Sequence, residues 1–183
     1  MTGEADEIAL SMRDLREVTG FAAACAETVL DVFETDQPDD SRPRDAVTAA
    51  WAFARGGERG NELRDRAWAA LKAAKDTDTA AAGEGARAAM AAAAAAYLHP
   101  LARSTQVKHI LGAAAHAARA AELAAADDDR NVAAEHLRRA AHLATPAVLD
   151  VLERYPAAPS GGGRVGELTR TLDTDLRTRT RAE

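Results

Sequence analysis

The chain of 183 residues is poor in cysteine, in aromatic residues and in long apolar runs. Cys25 is its single cysteine, so the chain can form neither an internal disulfide nor a cysteine-rich zinc site. Charged residues interrupt the alanine runs before they reach the length of a membrane span, and the N-terminus lacks the basic and apolar regions of a signal peptide. We therefore expect a cytoplasmic protein without a membrane partner.

Basic residues are also in the minority, with 23 lysines and arginines against 29 aspartates and glutamates and a net charge of −6. Proteins that bind nucleic acids neutralise phosphates with clustered lysines and arginines. The arginines between Arg164 and Arg181 make the C-terminal segment locally basic, which is typical of a solvated helix face. We expect no nucleic-acid partner.

The sequence is instead rich in alanine, with 48 alanines against seven aromatic residues. Alanine is the strongest helix former, and no stretch alternates apolar and polar residues as a strand would. The sequence predicts an all-α single compact domain of about seven or eight helices, mostly antiparallel neighbours. We expect this domain to cover residues 11–178, with flexible segments at 1–10 and 179–183. Alanine-rich helix faces also make a homodimer possible.

Helix boundaries follow from capping residues, prolines and glycines. Ser11, Ser104 and Thr145 are predicted N-caps, and the three aspartates at 127–129 are predicted to end one helix and cap the next. The predicted helices cover Met12–Glu34, Pro43–Ala54, Asn61–Lys75, Thr79–Tyr97 and Ser104–Ala126, with one further helix ending at Leu143, one beginning at Pro146 and one beginning near Arg164.

Three of the five histidines fall between Tyr97 and Glu122, around a proline and along one predicted helix. His109 and His116 are seven residues apart, so they share a face but are separated by about 10 Å along the axis. That separation is too long for joint ligation of one zinc ion, and we expect neither a metal site nor a cofactor. Two interpretations remain open, a functional polar groove and histidines that pack between helices through hydrogen bonds to backbone.

The candidate site consists of polar and aromatic residues near these histidines, together with a possible recognition surface on the second helix. Histidine has an ordinary pKa near neutrality, so His99, His109 and His116 are candidate general acids or bases. A solvated helix terminus explains the residues of the second helix equally well. The candidate ligand-binding residues are Tyr97, His99, Gln106, Lys108, His109, His116, Arg42, Arg44 and Trp51.

Other patterns of catalytic residues are weak. Cys25 lies within an apolar helical stripe with no adjacent basic residue to stabilise a thiolate, which indicates burial. Glu27 and Asp31 are four residues apart, but the paired Glu-x-x-His motifs of a di-iron bundle are absent. The sequence thus favours binding over catalysis.

Several segments resemble a family of small helical actinobacterial immunity proteins, some of which carry an automatic exonuclease label. The segments are LREVTGFAAACAE from Leu15, RPRDAV from Arg42, YLHPLA from Tyr97, QVKHILGAAAHAARAAEL from Gln106 and GGGRVGEL from Gly161. The resemblance covers most of the chain and implies an all-helical cytosolic protein that neutralises a toxin. The residues give no support to the exonuclease label, because clustered carboxylates and a phosphate-binding loop are both missing.

Two hypotheses for function follow. In the first, the chain is a non-catalytic binding protein whose partner is a protein toxin or effector, and its acidic surface favours a basic partner. In the second, it binds or modifies a small molecule in a histidine-lined groove that Trp51 or Trp68 borders.

Overall fold

A computed structural model describes residues 7–125 and 129–180. Within these residues the chain forms nine α-helices and no strand, which confirms the all-α prediction. The helices are α1 (Met12–Glu27), α2 (Leu30–Asp36), α3 (Arg42–Ala54), α4 (Asn61–Asp76), α5 (Ala80–Ala94), α6 (Val107–Ala124), α7 (Arg130–Leu143), α8 (Pro146–Glu153) and α9 (Gly163–Thr180). Two 3-10 turns, Ala95–Tyr97 and Ser104–Gln106, lie between α5 and α6.

The helix expected over Met12–Glu34 is two helices, because the chain breaks at Thr28 and Val29. The Thr28 hydroxyl donates to the carbonyl of Cys25 at 2.7 Å, and Val29 leaves helical geometry with φ −133° and ψ 11°. A Cβ on Gly85 of α5 would approach the Val29 carbonyl oxygen to 3.2 Å, so the α5 backbone lies directly against the break. The described residues therefore form nine α-helices, where seven or eight were predicted.

Most of the predicted caps are present. Ser11 forms a capping box with Asp14, and the side chains of Thr145 and Asp129 accept from the backbone of α8 and α7. Ser104 is not the N-cap of α6 as predicted, because it begins a 3-10 turn and no side chain caps α6. The predicted helix end at 126–128 lies outside the described residues, as do the outer parts of the expected flexible termini, 1–6 and 181–183.

Helix α5 lies at the centre of the fold and packs against α1, α2, α3, α4 and α6. Its buried positions are all alanine or glycine, which allows neighbouring helices to approach closely. Larger side chains fill the core around it, and the fully buried ones include Phe33, Phe53, Ile110 and Leu111. The central pair α5 and α6 thus meets mainly through small side chains.

Helix α9 packs against α6 and α8, and two of its arginines contact these helices. Arg164 on α9 contacts Glu122 on α6, and Arg177 pairs with Asp173 and donates to the carbonyl of Leu152 on α8. None of the helices in the described part of the chain has the length and apolar character needed to cross a membrane.

Candidate functional site

A groove runs along the outer face of α5, with α4 and α6 as its walls, and we call it the α4–α6 groove. Its middle is an apolar hollow of about 290 Å³. This apolar hollow is lined by Arg64, Ala67, Trp68, Leu71, Met90, Ala94, Tyr97 and His109. Two residues of the predicted site, Tyr97 and His109, therefore meet here.

A polar hollow of about 530 Å³ adjoins the apolar one. Its lining is Arg59, Gly60, Asn61, Arg64, Tyr97, Leu98, His99 and Pro100. The guanidinium of Arg64 lies 4.8 Å from the centre of the Tyr97 ring, and the Tyr97 hydroxyl donates to the Gly60 carbonyl at 2.9 Å. Arg64 and Tyr97 line both hollows, and this stacked pair lies at the boundary between them.

Trp68 is the most conspicuous residue of the groove, because 65% of it is exposed although it is a large apolar side chain. Arg64, Trp68, Leu71 and Lys75 recur at the spacing of one helical face, so α4 presents them together. The sequence indicates Trp68 only as a possible wall of a groove, and Arg64, Leu71 and Met90 are not among the predicted site residues. The sequence signal that could have identified Arg64 and Leu71 was their i, i+4, i+7 spacing with Trp68 on α4. This spacing does not by itself reveal which helix lies opposite α4.

His109 lies at the α6 wall of the apolar hollow and is partly buried. Burial, with a smaller effect from the charge of Lys108, lowers the pKa of His109 below its ordinary value of 6.5, and a hydrogen bond with the Ala94 backbone opposes this. The imidazole is therefore neutral at pH 7. His109 therefore borders a hollow, as the first interpretation of the histidines predicts.

His116 lies on the same continuous helix but is not among the residues that line either hollow. Its Nδ1 is 2.6 Å from Oε2 of Glu84 on α5, and Arg87 donates to the other oxygen of Glu84 at 3.3 Å. Burial raises the pKa of Glu84, but the bond to His116 and nearby positive charges outweigh burial and bring the pKa below 4.5. The structure thus places His116 in an ionic cluster that joins α5 to α6.

His99 is exposed at the edge of the polar hollow, in the turn before Pro100. Its backbone N–H donates to Oε1 of Gln106 at 3.0 Å, and its carbonyl accepts from the Tyr155 hydroxyl at 2.8 Å. The side chain of Gln106 therefore stabilises this turn by a hydrogen bond. Lys108, the neighbour of His109 in sequence, is exposed to solvent. The imidazole of His99 does not meet that of His109 in one hollow.

Arg42, Arg44 and Trp51 lie apart from the groove. Arg42 pairs with Asp40 and Asp76, and Arg44 pairs with Glu34, so both guanidinium groups already have carboxylate partners. Trp51 borders a separate hollow of about 400 Å³ between α1, α3 and the turn from α7 to α8. The structure does not bring these three residues to the predicted histidine site.

The described residues contain no group of three or more histidine, cysteine, aspartate or glutamate side chains placed to hold a metal ion. Cys25 is only 2% exposed, and burial raises the pKa of its thiol to about 12. The thiol is therefore protonated at pH 7, and the chemistry that the described groove offers is apolar and cationic contact with one neutral imidazole.

These features define an all-helical protein with an exposed aromatic groove. The chain belongs to the family described as Imm-5 like putative immunity protein, whose model matches residues 9–146. The match confirms the resemblance to immunity proteins and includes every residue of the groove, whereas α9 lies beyond it. Comparisons with curated proteins and with solved structures found no match.

Proposed function

We propose that this protein neutralises a protein toxin or effector by binding it through the α4–α6 groove. The observation that carries the proposal is the exposed Trp68 beside an apolar hollow, in a chain of the immunity-protein family. Burying an indole of this size in a partner removes a large apolar area from water. Catalysis is not required for such a role.

The residue types around the hollow support a protein partner. Tryptophan, tyrosine, methionine and arginine are enriched in interface centres, and tryptophan, tyrosine and arginine dominate binding hot spots. Trp68, Met90, Tyr97 and Arg64 supply one of each in this groove. A rim of more polar residues, including His99, surrounds them, as is usual where a partner excludes water from an apolar centre.

The charges near the groove indicate the chemistry of the partner. Four cations on or beside it take no part in an ion pair within residues 7–125 and 129–180, and they are Arg59, Arg64, Lys75 and Lys108. The net charge of −6 led us to expect a basic partner. At this groove, local complementarity instead favours an acidic surface on the toxin or effector.

The proposal is tested by co-expressing the chain with candidate toxins encoded beside its gene and measuring host growth and complex formation on a sizing column. We expect one toxin to be neutralised and Trp68→Ala to weaken that complex by about 30-fold or more, the effect of losing a hot-spot residue. Met12→Ala is the control, because Met12 is also a large apolar residue, 42% exposed, but lies outside the groove. Neutralisation that survives Trp68→Ala unchanged, or no neutralisation of any candidate, contradicts the proposal.

The second hypothesis, a small molecule bound in the same groove, is favoured by one observation, the neutral imidazole of His109 at the wall of an apolar hollow. A neutral imidazole can accept a proton at pH 7. Under this hypothesis no candidate toxin is neutralised, and His109→Gln removes turnover or binding of the small molecule. Loss of neutralisation in both His109→Gln and Trp68→Ala supports the protein partner instead.

A further inference from the structure

The hollow beside Trp51 differs from the groove in its chemistry. It measures about 400 Å³, within the range of pockets that hold small molecules, and lies between α1, α3 and the turn from α7 to α8. Three arginines line it, Arg13 and Arg16 from α1 and Arg55 from the end of α3. We call it the arginine hollow.

The described part of the chain does not balance the charge of these three guanidinium groups. None of them takes part in an ion pair within the described chain, although the chain as a whole is acidic. Glu17 is the one carboxylate among the lining residues, and its Oε2 accepts from the Thr145 hydroxyl at 3.2 Å. The hollow therefore carries an excess of positive charge that the fold does not neutralise locally.

Arg16 is held in place by backbone. Its Nη2 donates to the carbonyls of Gly56 and Gly57 at 3.2 and 3.4 Å, and its guanidinium lies 5.8 Å from the centre of the Phe53 ring. Its Nε is buried and has no hydrogen-bond partner. A buried donor without an acceptor is unfavourable.

One wall of the hollow is apolar and partly aromatic. The guanidinium of Arg55 lies 5.0 Å from the centre of the Trp51 ring, and Leu143 remains 42% exposed at the edge. A Cβ on Gly20 would lie 3.7 Å from Cζ3 of Trp51, an ordinary van der Waals distance, so α1 lies beside the indole. Stacked arginine keeps its in-plane N–H donors available to an anion.

From this combination we infer that the arginine hollow binds a small organic anion, with a carboxylate or phosphate next to a planar apolar group. The anionic group contacts the guanidinium groups of Arg13 and Arg55, and the planar group lies against Trp51 and Leu143. Arginine forks match carboxylate and phosphate oxygens equally well, so the two kinds of anion share one chemistry. This inference does not depend on a protein partner at the α4–α6 groove.

The test uses tryptophan fluorescence, because the chain has only two tryptophans. Trp68→Phe leaves Trp51 as the single reporter and does not touch the arginine hollow. Phenyl phosphate and benzoate are titrated as the two anions, inorganic phosphate as the anion without an apolar group, and benzyl alcohol as the neutral ring. We expect saturable one-to-one binding of at least one aromatic anion, confirmed by calorimetry, and weaker binding of the other two probes.

Variants then locate the bound anion. Arg13→Gln and Arg55→Gln are suited to this purpose because both residues are exposed and neither forms an ion pair within residues 7–125 and 129–180, so both variants are expected to fold. Each is expected to weaken binding by about tenfold or more, the effect of losing a charge-assisted hydrogen bond. Arg103→Gln is the matched control and should leave binding unchanged, because Arg103 is also an exposed arginine but lines neither the arginine hollow nor the α4–α6 groove.

Four results would overturn the inference. Three of them are the absence of saturable binding at millimolar concentrations, an affinity for benzyl alcohol equal to that for the aromatic anions, and an affinity in Arg13→Gln and Arg55→Gln equal to that of the parent. Inorganic phosphate that binds as tightly as phenyl phosphate also contradicts it, because the apolar wall would then contribute nothing. Preference between phenyl phosphate and benzoate identifies which anion the site takes.

Discussion

Arg164 on α9 binds the carboxylate of Glu122 on α6 with its Nη2 2.6 Å from Oε1 and its Nε 3.1 Å from Oε2. Arg119 adds a third bond to Glu122 at 2.7 Å, and Glu122 is only 1% exposed. The family match ends at residue 146, so this contact joins the matched part of the chain to a helix beyond it. We expect α9 to stabilise the wall of the groove through α6.

Arg164→Gln tests this contact. The substitution leaves the buried charge of Glu122 with one arginine, and breaking a buried ion pair costs about 3 kcal/mol or more of unfolding free energy. Urea denaturation measures the loss. The control is Arg130→Gln, because Arg130 is 73% exposed in its side chain and lies 3.8 Å from Glu167, so a change of no more than about 0.5 kcal/mol is expected. Equal stability of the two variants would show that the buried pair contributes nothing.

Glu122 should also make stability depend on pH. Burial raises its pKa, but hydrogen bonds from Arg164 and Arg119 outweigh burial and place the pKa below the ordinary value of 4.5. A lowered folded-state pKa stabilises the fold above pH 4.5, and this stabilisation is lost as the pH falls through the folded-state value.

We therefore expect Glu122→Gln to be less stable than the parent at pH 7 and to lose less stability between pH 5 and acid conditions. The measurement is the unfolding free energy in urea across that pH range. Glu58→Gln serves as the control, since Glu58 is exposed, and its curve should follow the parent curve. A Glu122→Gln curve parallel to the parent curve would contradict the assigned role of this carboxylate.

Cys25 should be chemically inert while the chain is folded. Burial raises the pKa of its thiol to about 12, so almost no thiolate exists at pH 8, and the side chain is 2% exposed. We expect no reaction with a disulfide reagent such as Ellman's reagent in buffer and complete reaction in denaturing urea. A native rate comparable with that of free glutathione would be incompatible with this burial.

Trp68 should contribute to binding and not to folding. Because it is 65% exposed, Trp68→Ala is expected to change the unfolding free energy by no more than about 0.5 kcal/mol. Trp51→Ala is the comparison, since Trp51 is half-buried, donates to Glu27 at 3.2 Å and packs under Arg55. We expect Trp51→Ala to lose more unfolding free energy than Trp68→Ala, as measured by thermal or urea unfolding. A large loss of stability in Trp68→Ala would mean that the indole of Trp68 supports the fold.

Local sequence signals predicted most helix boundaries. Ser11 with Asp14, and Thr145 with Pro146, act within one turn of backbone, so their effect depends little on the rest of the fold. The break after Thr28 was not predictable in this way, since the apolar period continues through it. The backbone at Gly85, which lies far away in sequence, packs directly against this break.

The candidate site was predictable only in part, for a similar reason. Tyr97, His99 and His109 lie close in sequence, and the structure places all three on the two adjoining hollows. Arg64 and Trp68 belong to α4, and their place opposite α6 depends on how the helices pack. Alanine-rich helices carry too little difference between their faces for sequence periodicity to decide that packing.

The small side chains of α5 constrain how this protein can diversify. Glu84, Arg87 and Met90 are the only residues of α5 larger than alanine, so most of the helix cannot gain volume without displacing its neighbours. The long side chains of α4 that face the groove are instead free of the core. Under the proposed function, recognition of a new toxin can therefore change by exchange of those side chains, while the scaffold beneath them is inherited unchanged.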